Sequence, residues 1–161
     1  MIEIMLTQGK RALIDETDAS RVWNYKWYAL FDRYNWYAIR RVKKKGNWSH
    51  QSMHIFLMNP PQGVDIDHRD RNGLNNQRNN LRICTHQQNM RNKRISVGNA
   101  SGFKGVCWKP RIKKWIAQIR YGKVLHLGCF EDKKEAARAY DSAAEKFFGE
   151  FALTNKKLGL L

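Results

Sequence analysis

The chain has 161 residues, with 30 Lys or Arg against 14 Asp or Glu, and its formal net charge is +16 at pH 7. This charge favours a polyanionic partner, either nucleic acid or an anionic membrane. No apolar run approaches the roughly 18 residues that cross a bilayer, which argues against a membrane span. The N-terminus lacks a basic segment before an apolar core, so we expect no signal peptide.

The three cysteines, Cys84, Cys107 and Cys129, are odd in number and widely spaced. They can build neither a disulfide framework nor a CxxC zinc site. We therefore expect three free thiols in a reducing interior and no structural zinc. The charge peaks in residues 102–130, which hold 7 Lys or Arg and no acidic residue. That segment is the predicted docking surface for a polyanion.

The first 52 residues predict a basic, aromatic-rich β extension. Residues 2–6 and 11–14 predict short strands, and Asp18 offers an N-cap for a short helix. Residues 27–30 and 36–40 predict a hairpin. Its aromatic side chains could stack on bases, although aromatic residues in strands more often pack in a core. The basic turn at 43–46 either contacts phosphate or is solvated.

The segment from 53 to 84 predicts a helix followed by a hairpin. Residues 53–58 form one or two apolar helical turns, stopped by Asn59 and two prolines. His54 lies in this helix, and both a packing role and a catalytic role stay open. Residues 64–68 alternate apolar and polar residues and predict a strand ending at His68. A loop rich in Asn, Gly and Arg follows, and residues 81–84 return as a strand.

Thr85 and Gln88 have the spacing of a capping box, so a helix begins at about Thr85 and carries Asn89 in its first turns. Asp67 and Asn89 are oxygen ligands that suit a hard cation such as Mg²⁺. His68 has no cysteine neighbour and suits general-base work better than Zn²⁺ ligation. Successive strand residues face opposite ways, so Asp67 and His68 share one phosphate only if a twist or the loop turns them together.

A metal ion and a base beside a phosphate are the minimum for phosphodiester hydrolysis. The run I-D-H-R-D-R-N-G-L-N-N-Q-R-N-N-L-R-I-C-T-H-Q-Q-N-M-R-N resembles the HNH endonucleases, whose fold is the ββα-metal finger. The resemblance implies that His68 activates water and that Asp67 and Asn89 hold Mg²⁺ or Mn²⁺. It also implies that Asn80 ties the loop and orients His68. Some members add four cysteines for a structural zinc, and this chain lacks that set.

A Ser-, Gly- and Asn-rich stretch at 95–101 is the predicted linker. Residues 103–109, 114–120 and 123–128 then predict an antiparallel meander with one basic and one buried face. Asp132 and Glu135 have capping-box spacing for a helix that runs to about Phe148 and stops at Gly149. The apolar face of this helix should pack on the sheet through Ala136, Ala137, Tyr140, Ala143, Ala144 and Phe147.

Residues 101–155 resemble the plant Apetala-two/ethylene-response-factor DNA-binding domain, through S-G-F-K-G-V, L-G-C-F, E-A-A-R-A-Y-D and F-G-E-F-A. The resemblance implies that the sheet lies in the major groove. The matching contact positions are Lys104, Cys107, Lys109, Gln118, Arg120, Val124 and His126. Cys107, Val124 and His126 stand where Arg, Arg and Trp are usual, so the plant target is not carried over. Arg111 and Lys114 are expected to add phosphate contacts.

The predicted fold is α+β: a β-rich extension (1–52), a ββα-metal HNH module (53–94), a linker (95–101), a three-stranded antiparallel sheet packed on one helix (102–155) and a tail (156–161). We expect a metal-dependent endonuclease acting on double-stranded DNA, of the phage or mobile-element homing kind. It would work in the bacterial or phage-infected cytoplasm, without a membrane partner. A monomer has one active site and would nick unless it dimerises.

Two alternatives stay open. The first is a sequence-specific DNA-binding protein that does not cut. The second is a basic RNA-binding protein, against which the base-reading sheet argues, because the A-form major groove is too narrow for it.

Overall fold

The computed structural model describes residues 1–96 and 98–161, and the chain forms two compact units, Met1–Asn89 and Met90–Leu161. Both contain short antiparallel sheets and a few helices, which confirms the α+β class. Among the residues described, no helix has the length and apolar character needed to cross a membrane. The predicted linker 95–101 includes Val97, which lies outside the described residues.

The first unit begins with a two-stranded sheet, a short helix and a three-stranded sheet in the order β3-β4-β5. These elements are β1 (Ile2–Met5), β2 (Arg11–Ile14), α1 (Ala19–Trp23), β3 (Tyr28–Phe31), β4 (Trp36–Lys44) and β5 (Asn47–Ser52). The sequence did not predict β5. Strand β4 continues through Lys44, and the turn is confined to Lys45 and Gly46, whose φ angles are 47° and 84°.

The remainder of the first unit is a helix, a hairpin and a second helix. These elements are α2 (Met53–Met58), β6 (Asp65–His68), β7 (Leu81–Cys84) and α3 (His86–Arg91). Strands β6 and β7 are antiparallel, with Asp67 opposite Arg82. The predicted capping box is confirmed. The Gln88 amide donates to Thr85 Oγ1 at 3.2 Å, and the Thr85 amide donates to Gln88 Oε1 at 2.8 Å.

The N-terminal segment shares one buried core with helix α2. Met53 and Leu57 of α2 pack in a single buried cluster with residues of β1, β2, α1, β3 and β4. The loop between β6 and β7 also docks on this segment. The Leu13 amide donates to Leu74 O, and the Asn76 amide donates to Leu13 O, both at 2.8 Å.

Two further contacts fix the same loop. The Arg78 guanidinium donates to both carboxylate oxygens of Asp18, at 2.8 and 2.7 Å, and Asp18 is 2% exposed. Gly73 lies so close to β4 that a Cβ there would be 2.5 Å from Trp36 O and from the Tyr37 ring. A loop that looks irregular in sequence is therefore held in one shape by partners up to about sixty residues away in the chain.

The second unit is a three-stranded antiparallel sheet with one long helix. Its elements are β8 (Val106–Lys109), β9 (Lys114–Tyr121), β10 (Lys123–Phe130) and α4 (Lys133–Phe148), and the strand order is β10-β9-β8. The helix packs on the sheet through Ala136, Ala137, Tyr140 and Ala144, against Val106, Ala117 and Ile119. The Asp132 N-cap is confirmed, because its side chain accepts from the amides of Lys134 and Glu135, and the helix ends at Gly149.

The first strand of this unit begins at Val106 rather than at the predicted Phe103. The Ser101 hydroxyl lies 3.0 Å from Phe103 O and 2.8 Å from Val106 O, which folds the preceding residues into turns. Gly105 has a φ of +75°, and a Cβ there would be 1.8 Å from the Tyr140 ring. Only glycine meets both demands, so the turn allows Tyr140 to pack beneath the strand.

Candidate active site

Strand β6 carries Asp67 and His68 side by side, each 6% exposed, but they meet different neighbours. Asp67 Oδ2 accepts from Arg82 Nε at 2.9 Å and from Arg82 Nη2 at 2.6 Å. Both of these side chains are 7% exposed. Their pairing follows from the hairpin register, which sets Arg82 directly opposite Asp67. A buried guanidinium therefore neutralises the acid that the sequence nominates as a metal ligand.

His68 meets a side chain that sequence reasoning missed. Its Nε2 lies 3.4 Å from Oδ1 of Asn76, a residue with no exposed surface. An amide oxygen only accepts hydrogen bonds, so this contact favours the tautomer with hydrogen on Nε2 and leaves Nδ1 as the basic nitrogen. The Asn76 amide group is held in turn, because its Nδ2 donates to Leu74 O at 3.1 Å.

Asn80 ties the loop together. Its Nδ2 donates to Asp70 Oδ1 at 2.9 Å and to Asn75 O at 2.8 Å, and its Oδ1 accepts from the Asp70 amide at 3.0 Å. Its effect on His68 stays a prediction. The loop holds many asparagines, and nothing in the sequence separates Asn76, which meets the imidazole, from Asn80, which closes the loop.

A second imidazole lies against His68. The ring of His54 is 4.8 Å from the ring of His68 in an edge-on arrangement, and Tyr37 lies about 6 Å from both. Burial, with a smaller effect of His68, lowers the pKa of His54 to about 3. Burial also lowers the pKa of His68, while Asn76 and the nearby carboxylates of Asp70 and Asp67 oppose the shift. A neutral imidazole at pH 7 has the form that a general base needs.

Asn89 of α3 meets Asp65 rather than Asp67. Its Nδ2 donates to Asp65 Oδ2 at 3.0 Å, and His86 Nδ1 lies 3.0 Å from the same oxygen. Asp65 and Asp67 are two residues apart on β6 and so share one face of the strand. Sequence reasoning missed Asp65, although its place two residues before Asp67 is a signal that strand periodicity could have used.

The donor set suits a hard cation. Asp65, Asp67 and Asn89 offer carboxylate and carboxamide oxygens, which Mg²⁺ prefers. Within the described ranges, no cluster of three or more His, Cys, Asp or Glu residues could hold a metal ion. Binding of Mg²⁺ or Mn²⁺ stays a prediction. Asp67 Oδ2 accepts from Arg82, so a cation would have to share this carboxylate with the guanidinium.

In the second unit, the strand register gathers most of the expected DNA contacts on one face. Lys109 faces Lys114, Gln118 faces His126, and Arg120 faces Val124 across the sheet. All are exposed except Lys114, which is half-buried. Cys107, in register with Ile116, is also exposed, as is Arg111 in the turn between β8 and β9.

Lys104 differs from the other expected contacts. It precedes β8, and its ammonium donates to Arg91 O at 2.6 Å and to Lys93 O at 2.8 Å. These bonds to backbone carbonyls give Lys104 a structural task in the second unit. Lys114 approaches Glu131 at 3.7 Å, a distance at which an exposed pair contributes little.

Comparison with known proteins agrees with this division. A family described as HNH endonuclease matches residues 57–91, and the AP2 domain matches residues 101–150. The uncharacterized HNH endonuclease L560 of Acanthamoeba polyphaga mimivirus is 36% identical over 96 residues, which are 60% of this chain and 49% of that protein. The ethylene-responsive transcription factor ERF069 of Arabidopsis thaliana is 38% identical over 98 residues, 57% of this chain and 59% of its own length. The chain thus spans about half the length of these two relatives. No solved structure was found to match it.

A third relative is covered more fully. Protein 3.8 of Escherichia phage T7 is 38% identical over 92 residues, which are 57% of this chain and 76% of that protein. The HNH match spans the hairpin with Asp67 and His68, and the AP2 match spans the sheet and helix of the second unit. The chain therefore combines an HNH endonuclease domain with an AP2 domain, and it belongs to the same family as Protein 3.8 of phage T7.

Proposed function

We propose that the protein is a metal-dependent endonuclease that hydrolyses phosphodiester bonds in double-stranded DNA. The observation that carries this proposal is His68, a buried imidazole whose pKa is lowered by burial and whose Nε2 faces the Asn76 amide oxygen. Asp67, which precedes His68 in β6, supplies a carboxylate suited to a hard cation.

In the proposed reaction, the His68 imidazole accepts a proton from the attacking water. Asn76 keeps the ring in the required tautomer, and Asn80 holds the loop on which this geometry depends. Asp67 and Asn89 would hold Mg²⁺ or Mn²⁺, and a cation there would supply positive charge to the phosphate and the leaving 3′ oxygen. By resemblance to the HNH family, the products would carry 5′-phosphate and 3′-hydroxyl ends.

The exposed face of the β8–β10 sheet would bind the DNA. A strand ribbon fits the major groove of B-form DNA, where all four base pairs are distinguishable. Lys109, Arg120 and Arg111 are exposed on or beside this face and would supply salt-dependent phosphate contacts. The relative in phage T7 supports a phage setting, in which a homing role would fit. With one active site per chain, a monomer would nick its target.

The test is cleavage of a supercoiled plasmid in Mg²⁺ or Mn²⁺ by the wild type, His68→Ala and Asn89→Ala. We expect open-circle DNA with the wild type and a loss of about 10²–10⁴-fold in the His68 variant, the usual contribution of a general base. The same assay is run on DNA that flanks the gene, because a homing enzyme prefers its own site. Wild-type protein that binds this DNA tightly without cutting it would overturn the proposal.

That outcome would favour a DNA-binding protein that does not cut. One observation supports this second function, because both predicted metal ligands already make hydrogen bonds within the protein. Asp67 accepts from Arg82, and Asn89 donates to Asp65. In that case His68→Ala would bind DNA as the wild type does, and neither protein would cut it. Competition between duplex DNA and duplex RNA of the same sequence separates both readings from an RNA-binding protein, which would prefer the RNA.

A further inference from the structure

We propose that Asp65 is a positioning residue of the nuclease site, which holds the Asn89 carboxamide with its oxygen directed toward the metal position. This inference rests on the proposed function and adds a residue to it. The contact that carries it is the hydrogen bond from Asn89 Nδ2 to Asp65 Oδ2, at 3.0 Å.

The chemistry of the two groups fixes the direction of the amide. An ionised carboxylate only accepts hydrogen bonds, so the Asn89 group that faces Asp65 must be the NH₂. The planar carboxamide then turns its oxygen away from Asp65. Without the carboxylate, Asn89 could rotate its amide by half a turn and present NH₂ hydrogens to a cation, which would repel them. Asp65 thus decides which end of Asn89 is available as a ligand.

The position of Asp65 on β6 supports the same role. Asp65 and Asp67 lie on one strand face, separated by two residues or about 7 Å along the strand. Asn89 reaches this face from α3, whose first turn is fixed by the Thr85–Gln88 capping box. The Asp65 side chain is 32% exposed, so it is not a core residue whose loss must unfold the hairpin. Outer partners of this kind typically change metal affinity by about 10–100-fold.

The same Asp65 oxygen also meets His86 Nδ1 at 3.0 Å, which supplies a matched control. The His86 side chain is 78% exposed, and its removal leaves the Asp65–Asn89 bond in place. Three variants of the full chain therefore separate the possible roles. Asp65→Ala removes the acceptor, Asp65→Asn keeps an acceptor oxygen without the charge, and His86→Ala removes only the second contact.

The experiment is titration of the DNA-free protein with Mn²⁺, with free Mn²⁺ followed by electron paramagnetic resonance, alongside Asp67→Ala and Asn89→Ala. We expect Asp65→Ala to weaken Mn²⁺ binding at least tenfold, Asp65→Asn to stay within about threefold of wild type, and His86→Ala to match wild type. A second readout is the side-chain NH₂ signal of Asn89 in a nitrogen-15 NMR spectrum. This signal should shift in Asp65→Ala and keep its position in Asp65→Asn.

Three outcomes would overturn the role of Asp65 but leave the proposed metal site intact, provided that Mn²⁺ binding still depends on Asp67 and Asn89. In the first, Asp65→Ala binds Mn²⁺ as the wild type does. In the second, Asp65→Asn is as weak as Asp65→Ala, which makes Asp65 a direct ligand. In the third, His86→Ala reproduces the loss. If Asp67→Ala and Asn89→Ala bind Mn²⁺ as tightly as the wild type does, the proposed metal site is overturned as well.

Discussion

The buried pair of Asp67 and Arg82 offers the sharpest test of the site, through the substitution Arg82→Met. Both side chains are 7% exposed, and the guanidinium makes two hydrogen bonds to Asp67 Oδ2. Removing one partner of a buried ion pair costs about 3–5 kcal/mol, because the other charge loses its compensation in a dry environment. Without metal, we therefore expect the free energy of unfolding of the first unit to fall by about 3–5 kcal/mol.

Mg²⁺ should restore part of this loss if Asp67 is a ligand. A cation at ten times its Kd stabilises the folded state by about 1.4 kcal/mol, provided that it binds only that state. The double variant Asp67→Asn/Arg82→Met is the matched control, because it lacks both charges and should not respond to Mg²⁺. Replacing both partners costs less than breaking the pair, so the double variant should be more stable than Arg82→Met in EDTA.

Native-state hydrogen exchange of the β6 and β7 amides is the appropriate assay, because it reports the hairpin apart from the second unit. Arg82→Met protein within 1 kcal/mol of wild type in EDTA would refute the account of the buried pair. Equal stabilisation of the single and double variants by Mg²⁺ would refute the ligand role of Asp67.

Three further predictions concern single side chains. Asn76→Ala should lower the cleavage rate at least tenfold, because His68 loses the side chain that orients its ring. Single-turnover cleavage measures this rate. The DNA affinity, measured by fluorescence anisotropy, should stay within twofold of the wild type. His54→Gln should reduce the loss of stability on acidification, because the His54 pKa of about 3 in the folded protein lies below the usual 6.5 and protonation therefore favours the unfolded chain. The wild type should lose up to about 2 kcal/mol of unfolding free energy between pH 7 and pH 5 through this group, and the variant should keep it. Urea unfolding at the two pH values measures the difference, with His50→Gln as the control. Asp132→Ala should destabilise the second unit by about 1 kcal/mol because the N-cap of α4 is lost, whereas Asp132→Asn keeps a capping oxygen and should cost far less. Amide hydrogen exchange in α4 measures both effects, and equal effects of the two variants would contradict the role of the cap.

The sequence determined those features whose signals are local. Strand alternation and capping boxes placed β6, β7, α3 and α4 within a few residues, because backbone periodicity and helix caps depend on neighbours in the chain. The hairpin motif and the sheet-and-helix pattern also predicted the two domain types that the family comparisons confirm. The roles of His68, Asn80, Asp67 and Asn89 stay predictions.

Only the tertiary structure decided which groups meet. Asn76 at His68, Asp65 at Asn89 and Arg82 at Asp67 depend on the hairpin register and on how the loop folds back, and one asparagine in such a loop looks like the next. The joining of residues 1–52 to the nuclease region depends on buried contacts between distant segments, such as Arg78 with Asp18. Contacts of this kind arise from complementary shape and charge across the core, for which a single sequence carries no periodic signal.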